Sequence, residues 1–116
     1  MAAGKIYSLK RKQLWSGTLS GNNEITVSNT NDYILFALEL SDGSLLLGAK
    51  NPNAGKISFY RASMISGSNT QYFDVIQFSV SDNKWTRIGA AEFGHTPGSN
   101  HGSATALTTV AIYGII

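Results

Sequence analysis

The sequence contains no cysteine, which excludes disulfide bonds, thiolate nucleophiles and cysteine-containing metal sites. Charged residues are scarce, at 14% of the chain against about 25% in ordinary soluble domains. No apolar run approaches the roughly 18 residues of a membrane span, and residues 1–12 contain no secretory apolar segment. We therefore expect no membrane insertion. No Asn begins an Asn-x-Ser/Thr triplet, so N-glycosylation is not expected either.

The few charges are unevenly distributed. The formal net charge is +2, but four of the nine basic residues lie in the first twelve positions, and no acidic residue does. The remaining 104 residues carry five basic and seven acidic side chains, a net charge of −2. Nucleic-acid binding is not expected, because a basic surface would rest on the short segment 1–12 alone. We interpret residues 1–12 as a basic lead-in that precedes the folded domain.

The chain supplies enough apolar material for one core. Hydrophobic residues make up 42% of the sequence, with five Phe, five Tyr and two Trp. A disordered chain lacks such material, and 116 residues are too few for two domains that each bury a core. We therefore predict a single domain over residues 13–116.

The spacing of apolar residues predicts an all-β domain. No helical pattern persists for three turns, whereas short apolar runs broken by Gly, Asn, Asp and Ser recur every eight to twelve residues. This pattern is typical of an antiparallel β-sandwich of the jelly-roll kind, with eight to nine short strands. The predicted strands are 6–11, 14–19, 24–28, 33–40, 44–50, 56–62, 72–81, 85–93 and 104–115. Turns are predicted near 21–23, 51–55, 66–69 and 82–83.

One hairpin has a particularly clear turn signal. Asp42-Gly43 suits a two-residue type I′ turn, which requires positive φ values. Such a turn would pair Leu40 with Leu45 and Leu38 with Leu47, and would direct these side chains, with Ile34 and Phe36, toward the core.

Two predicted strands are apolar on both faces. In residues 33–40 and 104–116, the side chains opposite the expected core are also largely apolar, whereas a sandwich strand in a monomer normally has one solvated face. A small domain has few elements to cover such a face, so we predict a homo-oligomer. A monomer with the C-terminal strand buried centrally is the alternative. The predicted interface residues are Tyr33, Leu35, Leu107, Tyr113 and Ile115.

Enzyme motifs are missing from the sequence. There is no Gly-x-Ser-x-Gly elbow and no phosphate-binding Gly-Lys-Ser/Thr, because Gly4-Lys5 is followed by Ile6. The seven acidic residues are scattered rather than placed in a recognisable pair, although a glycosidase pair is conceivable among them. We expect a non-enzymatic protein without a cofactor.

Both histidines lie in one polar segment, residues 94–103. We interpret this segment as a long exposed loop, and such loops are where a β-scaffold normally carries a binding site. His95, Asn100 and His101 are therefore candidate ligand-binding residues. The spacing of the histidines matches no usual zinc pattern, so no metal site is predicted.

Aromatic side chains are the other candidate ligand-binding groups. An aromatic ring can stack on the C–H face of a sugar while polar groups bind its hydroxyls. Trp85 and Arg87 share one strand face, and Asp82-Asn83 precede them in a predicted turn, so these four residues form a candidate saccharide contact. The alternative is that Trp85 anchors the core or an interface. The remaining aromatic candidates are Trp15, Tyr33, Tyr60, Tyr72 and Tyr113.

Three segments together resemble a known family. Leu-Trp-Ser-Gly at 14–17 with Ile-Thr-Val at 25–27, Asp-Tyr at 32–33 before an apolar strand, and the ending Val-Ala-Ile-Tyr-Gly-Ile-Ile at 110–116 occur in order. They resemble the C-terminal domain of tail fibre, tail-tip and baseplate proteins of long-tailed phages and prophages of Gram-positive bacteria. The resemblance spans residues 14–116, and residues 51–103 contain no matching motif.

The resemblance implies a β-sandwich at the end of a phage tail, commonly a homotrimer that adheres to a host cell-wall saccharide and contacts other tail proteins. It implies location on the virion surface, and it transfers no binding residue, because the shared motifs are scaffold motifs. Two other functions remain open. One is a purely structural virion protein, such as a trimerisation cap or a capsid decoration protein, and the other is a glycan depolymerase.

Overall fold

The protein is all-β, as predicted. The computed structural model describes residues 10–51, 55–64, 71–96, 99–104 and 107–116, with the backbone alone described for 62–64, 71–72, 92–96 and 99–104. The described part contains nine strands and a short 3-10 turn at Thr30–Asp32. The strands are β1 (Arg11–Leu19), β2 (Glu24–Thr26), β3 (Leu35–Leu40), β4 (Leu45–Asn51), β5 (Lys56–Met64), β6 (Gln71–Ser81), β7 (Lys84–Thr96), β8 (Ser99–Ala104) and β9 (Thr109–Ile115).

The strands form one antiparallel sheet rather than the two packed sheets of a sandwich. Their order is β1-β9-β3-β4-β5-β6-β7-β2. The ninth strand, β8, pairs with a different part of β7 from the part that pairs with β2. The sheet is nearly closed and therefore barrel-like. Alternation of apolar and polar residues identifies the buried face of each strand, but a curled sheet and a sandwich give the same alternation. The prediction of a sandwich was therefore wrong, and the domain has one barrel-like sheet.

The C-terminal strand lies inside the sheet. β9 pairs with β1 on one side and with β3 on the other, and Ile112 is opposite both Trp15 and Leu38. Ile112 is fully buried, and Ala111 and Thr109 are buried too. Much of the apolar surface of β9 is thus covered by its neighbours within the same chain.

The core fills the concave side of the sheet around Trp85. This side chain has no exposed surface, and its ring lies 5.1 Å from that of Phe36 and 5.4 Å from that of Phe78. The indole N–H donates a hydrogen bond of 2.9 Å to Oγ1 of Thr30. The other large, fully buried apolar side chains are Leu38, Leu46, Ile57, Phe59, Ile76, Ile112 and Val27.

The β3–β4 hairpin differs from the predicted one by one residue in register. Leu38 is opposite Leu46, and the backbone N–H of Leu40 donates to the carbonyl of Ser44, which leaves a three-residue loop with Gly43 at φ 88°. A three-residue loop with glycine in the left-handed region is the alternative to the two-residue turn. Leu45 and Leu47 therefore face outward, and Ile34, 80% exposed, also lies outside the core.

The predicted loop 94–103 is instead part of a second hairpin. β7 continues to Thr96 and β8 runs back along it, with Phe93 opposite Gly102 and His95 opposite Asn100. Backbone pairing to β7 outweighs the weak strand propensity of this Gly- and Ser-rich segment.

Some predicted features lie outside the described residues. These are most of the strand 6–11, the centre of the turn 51–55 and the turn 66–69. Within the part that the structure describes, no helix is long and apolar enough to span a membrane.

Candidate functional site

Trp85 and Arg87 are not surface residues in this fold. Trp85 lies at the centre of the core, and Arg87 is buried with its guanidinium Nη1 donating a 2.7 Å hydrogen bond to the carbonyl of Leu107. Burial lowers the pKa of the Arg87 guanidinium from its ordinary value. A ring without exposed surface has no face to offer a sugar, so the predicted saccharide contact at these two residues is corrected. The alternative reading, Trp85 as a core anchor, agrees with the structure.

Asp82 and Asn83 form the β6–β7 turn, as predicted, but Asn83 also holds a neighbouring segment. Its Oδ1 accepts a hydrogen bond from the backbone N–H of Thr30 at 3.1 Å, and its carbonyl accepts one from Val27 N–H at 2.8 Å. Asp82 has a φ of 52°, and its carboxylate accepts from the Asn31 amide. These contacts assign a structural role to Asn83, and they leave ligand binding by Asp82 a prediction.

His95, Asn100 and His101 lie on the β7–β8 hairpin. His95 is opposite Asn100, and His101 is opposite Gly94, so the three positions are near one another along the backbone. Their side chains are outside the described part of the structure, and their ligand binding stays a prediction. Among the side chains that are described, no group of three or more His, Cys, Asp or Glu residues is placed to hold a metal ion.

Of the predicted interface residues, Leu35 is exposed and the other four are partly covered. Tyr33 packs over Gly114, where an added Cβ would lie 2.5 Å from the ring. Leu107 packs against the core, and Ile115 is half-buried. The interface itself remains a prediction.

Tyr113 is held by two charged neighbours on the outer face. Its hydroxyl donates a 2.9 Å hydrogen bond to Glu39 Oε1, and the Arg11 guanidinium lies 4.4 Å from the ring centroid. The hydrogen bond to the Glu39 carboxylate, with a smaller contribution from burial, raises the pKa of Tyr113 above its ordinary value.

Arg61 binds two carboxylates beside the β3–β4 turn. It forms ion pairs with Asp74, which is buried, and with Asp42 at 3.5 Å, which is exposed. Hydrogen bonds from the Ser44 backbone and side chain, with a smaller contribution from Arg61, lower the pKa of Asp42. One guanidinium thus contacts both carboxylates, an arrangement that links β5 and β6 to the turn and does not resemble an acid–base pair across a cleft.

A groove crosses the outer face of β4, β5, β6 and β7. Its floor is a row of paired residues with mostly small side chains: Ala49 is opposite Ser58, Ser58 is opposite Gln77, and Gln77 is opposite Gly89. The adjacent row on the same face is bulkier, with Leu47 opposite Tyr60 and Tyr60 opposite Val75. The difference in size between the two rows makes the depression. We call it the outer groove.

The outer groove combines an exposed ring with hydrogen-bonding groups. Tyr60 is 60% exposed, and Leu47 beside it is 45% exposed. On the floor, Gln77 Nε2 donates a 2.8 Å hydrogen bond to Ser58 Oγ. This bond orients the Ser58 hydroxyl to donate and the Gln77 carbonyl oxygen to accept at the surface of the groove. Lys56 adds a positive charge at its polar side.

In the sequence, Tyr60 is one of six candidate aromatic residues, and no motif distinguishes it from the other five. The alternation in residues 56–60 contains the missing signal, because Ile57 and Phe59 are buried while Lys56 and Tyr60 face outward. The partners of Tyr60 lie on β4 and β6, and that pairing depends on strand register, which the sequence alone does not give.

Comparisons with known proteins give no family. No protein-family model, no curated protein sequence and no solved structure matches this chain significantly.

Proposed function

We propose that the protein is a non-enzymatic adhesion module of a phage tail that binds a host cell-wall saccharide in the outer groove. The observation that carries this proposal is the exposed Tyr60 ring beside the hydrogen-bonded pair of Ser58 and Gln77. A sugar ring stacks its C–H face on an aromatic side chain and exchanges hydroxyl hydrogen bonds with neutral polar groups, and both elements occur here on adjacent rows of one sheet.

Binding is favoured over glycan cleavage by the composition of the groove. Glycoside hydrolysis normally requires two carboxyl groups that flank the scissile bond. The described residues that line the outer groove include no Asp or Glu. The groups present, an aromatic ring, a hydroxyl, an amide and an ammonium group, bind and orient a sugar without supplying that acid–base pair.

The assignment to a phage tail rests on the sequence resemblance. Its two end motifs lie on neighbouring strands in the structure: Trp15 on β1 is opposite Ile112 on β9. These two strands are neighbours in the sheet, while the outer groove lies on β4–β7, of which β5, β6 and β7 belong to residues 51–103, the region without a shared motif. A scaffold held in common, with a binding face free to vary, is the arrangement expected of an adhesion module.

A purely structural, self-associating role is the second candidate. Leu35, Leu45 and Leu47 are exposed on adjacent strands of the outer face, and an apolar patch of this kind favours association with other copies. Leu35 and Leu47 also line the outer groove, so self-association through this patch and saccharide binding in the groove would compete, and only the adhesion module requires a ligand.

The decisive experiment measures binding to isolated walls of Gram-positive bacteria. We expect saturable binding that falls about tenfold in Tyr60→Ala, corresponding to about 1.4 kcal/mol. Phe73→Ala is the matched control. Phe73, on β6, is an exposed aromatic residue like Tyr60 on β5, but it does not line the groove. Circular dichroism should show both variants folded.

Three results would contradict parts of the proposal. Wall binding that is unchanged in Tyr60→Ala would remove the groove as the site. Absence of binding to every wall, together with stable trimers in light scattering, would favour the structural role. Steady release of reducing ends from wall polymer would favour a depolymerase.

A further inference from the structure

The outer groove consists of two adjoining depressions. One, of about 480 Å³, extends from the shared residues toward Leu35, Leu47 and Ala49. The other, of about 280 Å³, extends in the opposite direction toward Val75, Gly89 and Ala91. Both are lined by Ser58, Tyr60 and Gln77. Tyr60 therefore stands between two spaces rather than beside one.

The two depressions are aligned across the strands. The floor row from Ala49 to Gly89 crosses four neighbouring strands, which is three inter-strand spacings, or about 14 Å. The floor at the far end is open, because a Cβ added to Gly89 would meet no atom within 4 Å. A site of this length and direction fits an extended chain of several sugar rings better than a single ring.

The two ends differ in chemistry. The first depression is bordered by the carbon-rich side chains of Leu35, Leu47 and Ala49, which match the methyl of an acetamido group. The shared Ser58 and Gln77 match its amide and the ring hydroxyls. The second depression is bordered by small residues, Gly89 and Ala91, which leave space for the next ring.

We propose that the outer groove binds a linear glycan of N-acetylated hexosamines that lies across β4 to β7, with one ring subsite on each side of Tyr60. This inference rests on the proposed saccharide binding and adds the chemical class, the direction and the minimum length of the ligand. The acetamido methyl occupies the depression beside Leu35 and Ala49, and the following ring occupies the depression above Gly89.

The test uses β-1,4-linked N-acetylglucosamine oligomers of one, two, four and six rings, titrated by calorimetry. We expect the two-ring compound to bind about tenfold more tightly than the monosaccharide. Gly89→Leu fills the second depression, and we expect it to abolish the gain in affinity from one ring to two, so that longer oligomers bind this variant no more tightly than the monosaccharide does. Ala49→Leu fills the first depression and should weaken all oligomers.

Two further measurements keep the test independent of folding. Ala91→Leu obstructs the same depression as Gly89→Leu from the adjacent row, so both variants should give the same dependence on oligomer length. Circular dichroism and thermal unfolding check the fold of both variants, and at Gly89 a new Cβ would meet no atom within 4 Å. An identical loss for monosaccharide and hexasaccharide in both variants would refute the two-subsite arrangement.

Failure of this inference is distinguishable from failure of the proposed function. Equal affinity for all oligomer lengths, or no binding of these oligomers by a protein whose wall binding depends on Tyr60, would overturn the inference and leave saccharide binding in place. Wall binding that does not depend on Tyr60 would overturn both.

Discussion

The substitution Thr30→Val tests whether one buried hydroxyl organises the core. Thr30 is fully buried, and its Oγ1 accepts a 2.9 Å hydrogen bond from Trp85 Nε1–H while donating a 2.7 Å bond to the carbonyl of Val27. Valine has nearly the same shape and neither function. The substitution therefore leaves the indole N–H and a backbone carbonyl without this partner and changes the packing little.

The expected cost follows from the two orphaned groups. A buried polar group that loses its partner costs about 1–3 kcal/mol. We expect Thr30→Val to lower the free energy of unfolding by about 3 kcal/mol, a large part of the roughly 5–15 kcal/mol available to a domain of this kind. In a Trp85→Phe background the indole N–H is gone, so the same substitution should cost about 1–2 kcal/mol less.

Urea unfolding followed by circular dichroism measures all four proteins of this double-mutant cycle. Thr18→Val on β1 is the control, because Thr18 is exposed, and its change should stay within about 0.5 kcal/mol. A cost below about 0.5 kcal/mol for Thr30→Val, or strict additivity with Trp85→Phe, would show that the hydroxyl does not bridge these groups.

Three further predictions concern glycine positions and pH. Gly48→Ala should lower the free energy of unfolding, measured by urea unfolding, by about 2 kcal/mol, because its Cβ would lie 2.6 Å from the Ser58 carbonyl oxygen. Gly89→Ala should be neutral or slightly stabilising in the same measurement, because a Cβ there would meet no atom within 4 Å. The pKa of Asp42 is lowered in the folded protein, so its contribution is complete above the ordinary value of 3.8 and is lost as the pH falls through the lower folded value. Asp42→Asn should therefore flatten the acid limb of stability against pH, and an unaltered slope would contradict this. The pKa of Tyr113 is raised, so its contribution is complete below pH 10.0 and is lost as the pH rises through the folded value; Tyr113→Phe should flatten the alkaline limb in the same assay.

The sequence predicts the secondary structure well because the inner faces alternate cleanly. Phe36, Leu38 and Leu40 on β3, and Ile57 and Phe59 on β5, are buried at every second position. Such alternation reports which side of a strand is covered. It does not report how many sheets there are, and a closed sheet and a sandwich bury the same pattern, which is why the architecture differed from the prediction.

Register explains the error at the β3–β4 turn. At the β3–β4 turn, Asp42-Gly43 is compatible with a two-residue or a three-residue loop, and the difference moves Leu45 and Leu47 from the core to the surface. The candidate site depends on the same information. Tyr60 belongs to a groove only because Leu47 and Val75 are its opposite residues, on strands that residue spacing cannot align.

The long strand β7 has one edge occupied by two different partners. Residues 84–86 pair with β2, near the core, while residues 91–96 pair with β8. Sequence changes in the β7–β8 hairpin can therefore leave the pairing of β2 with β7, at Trp85, undisturbed.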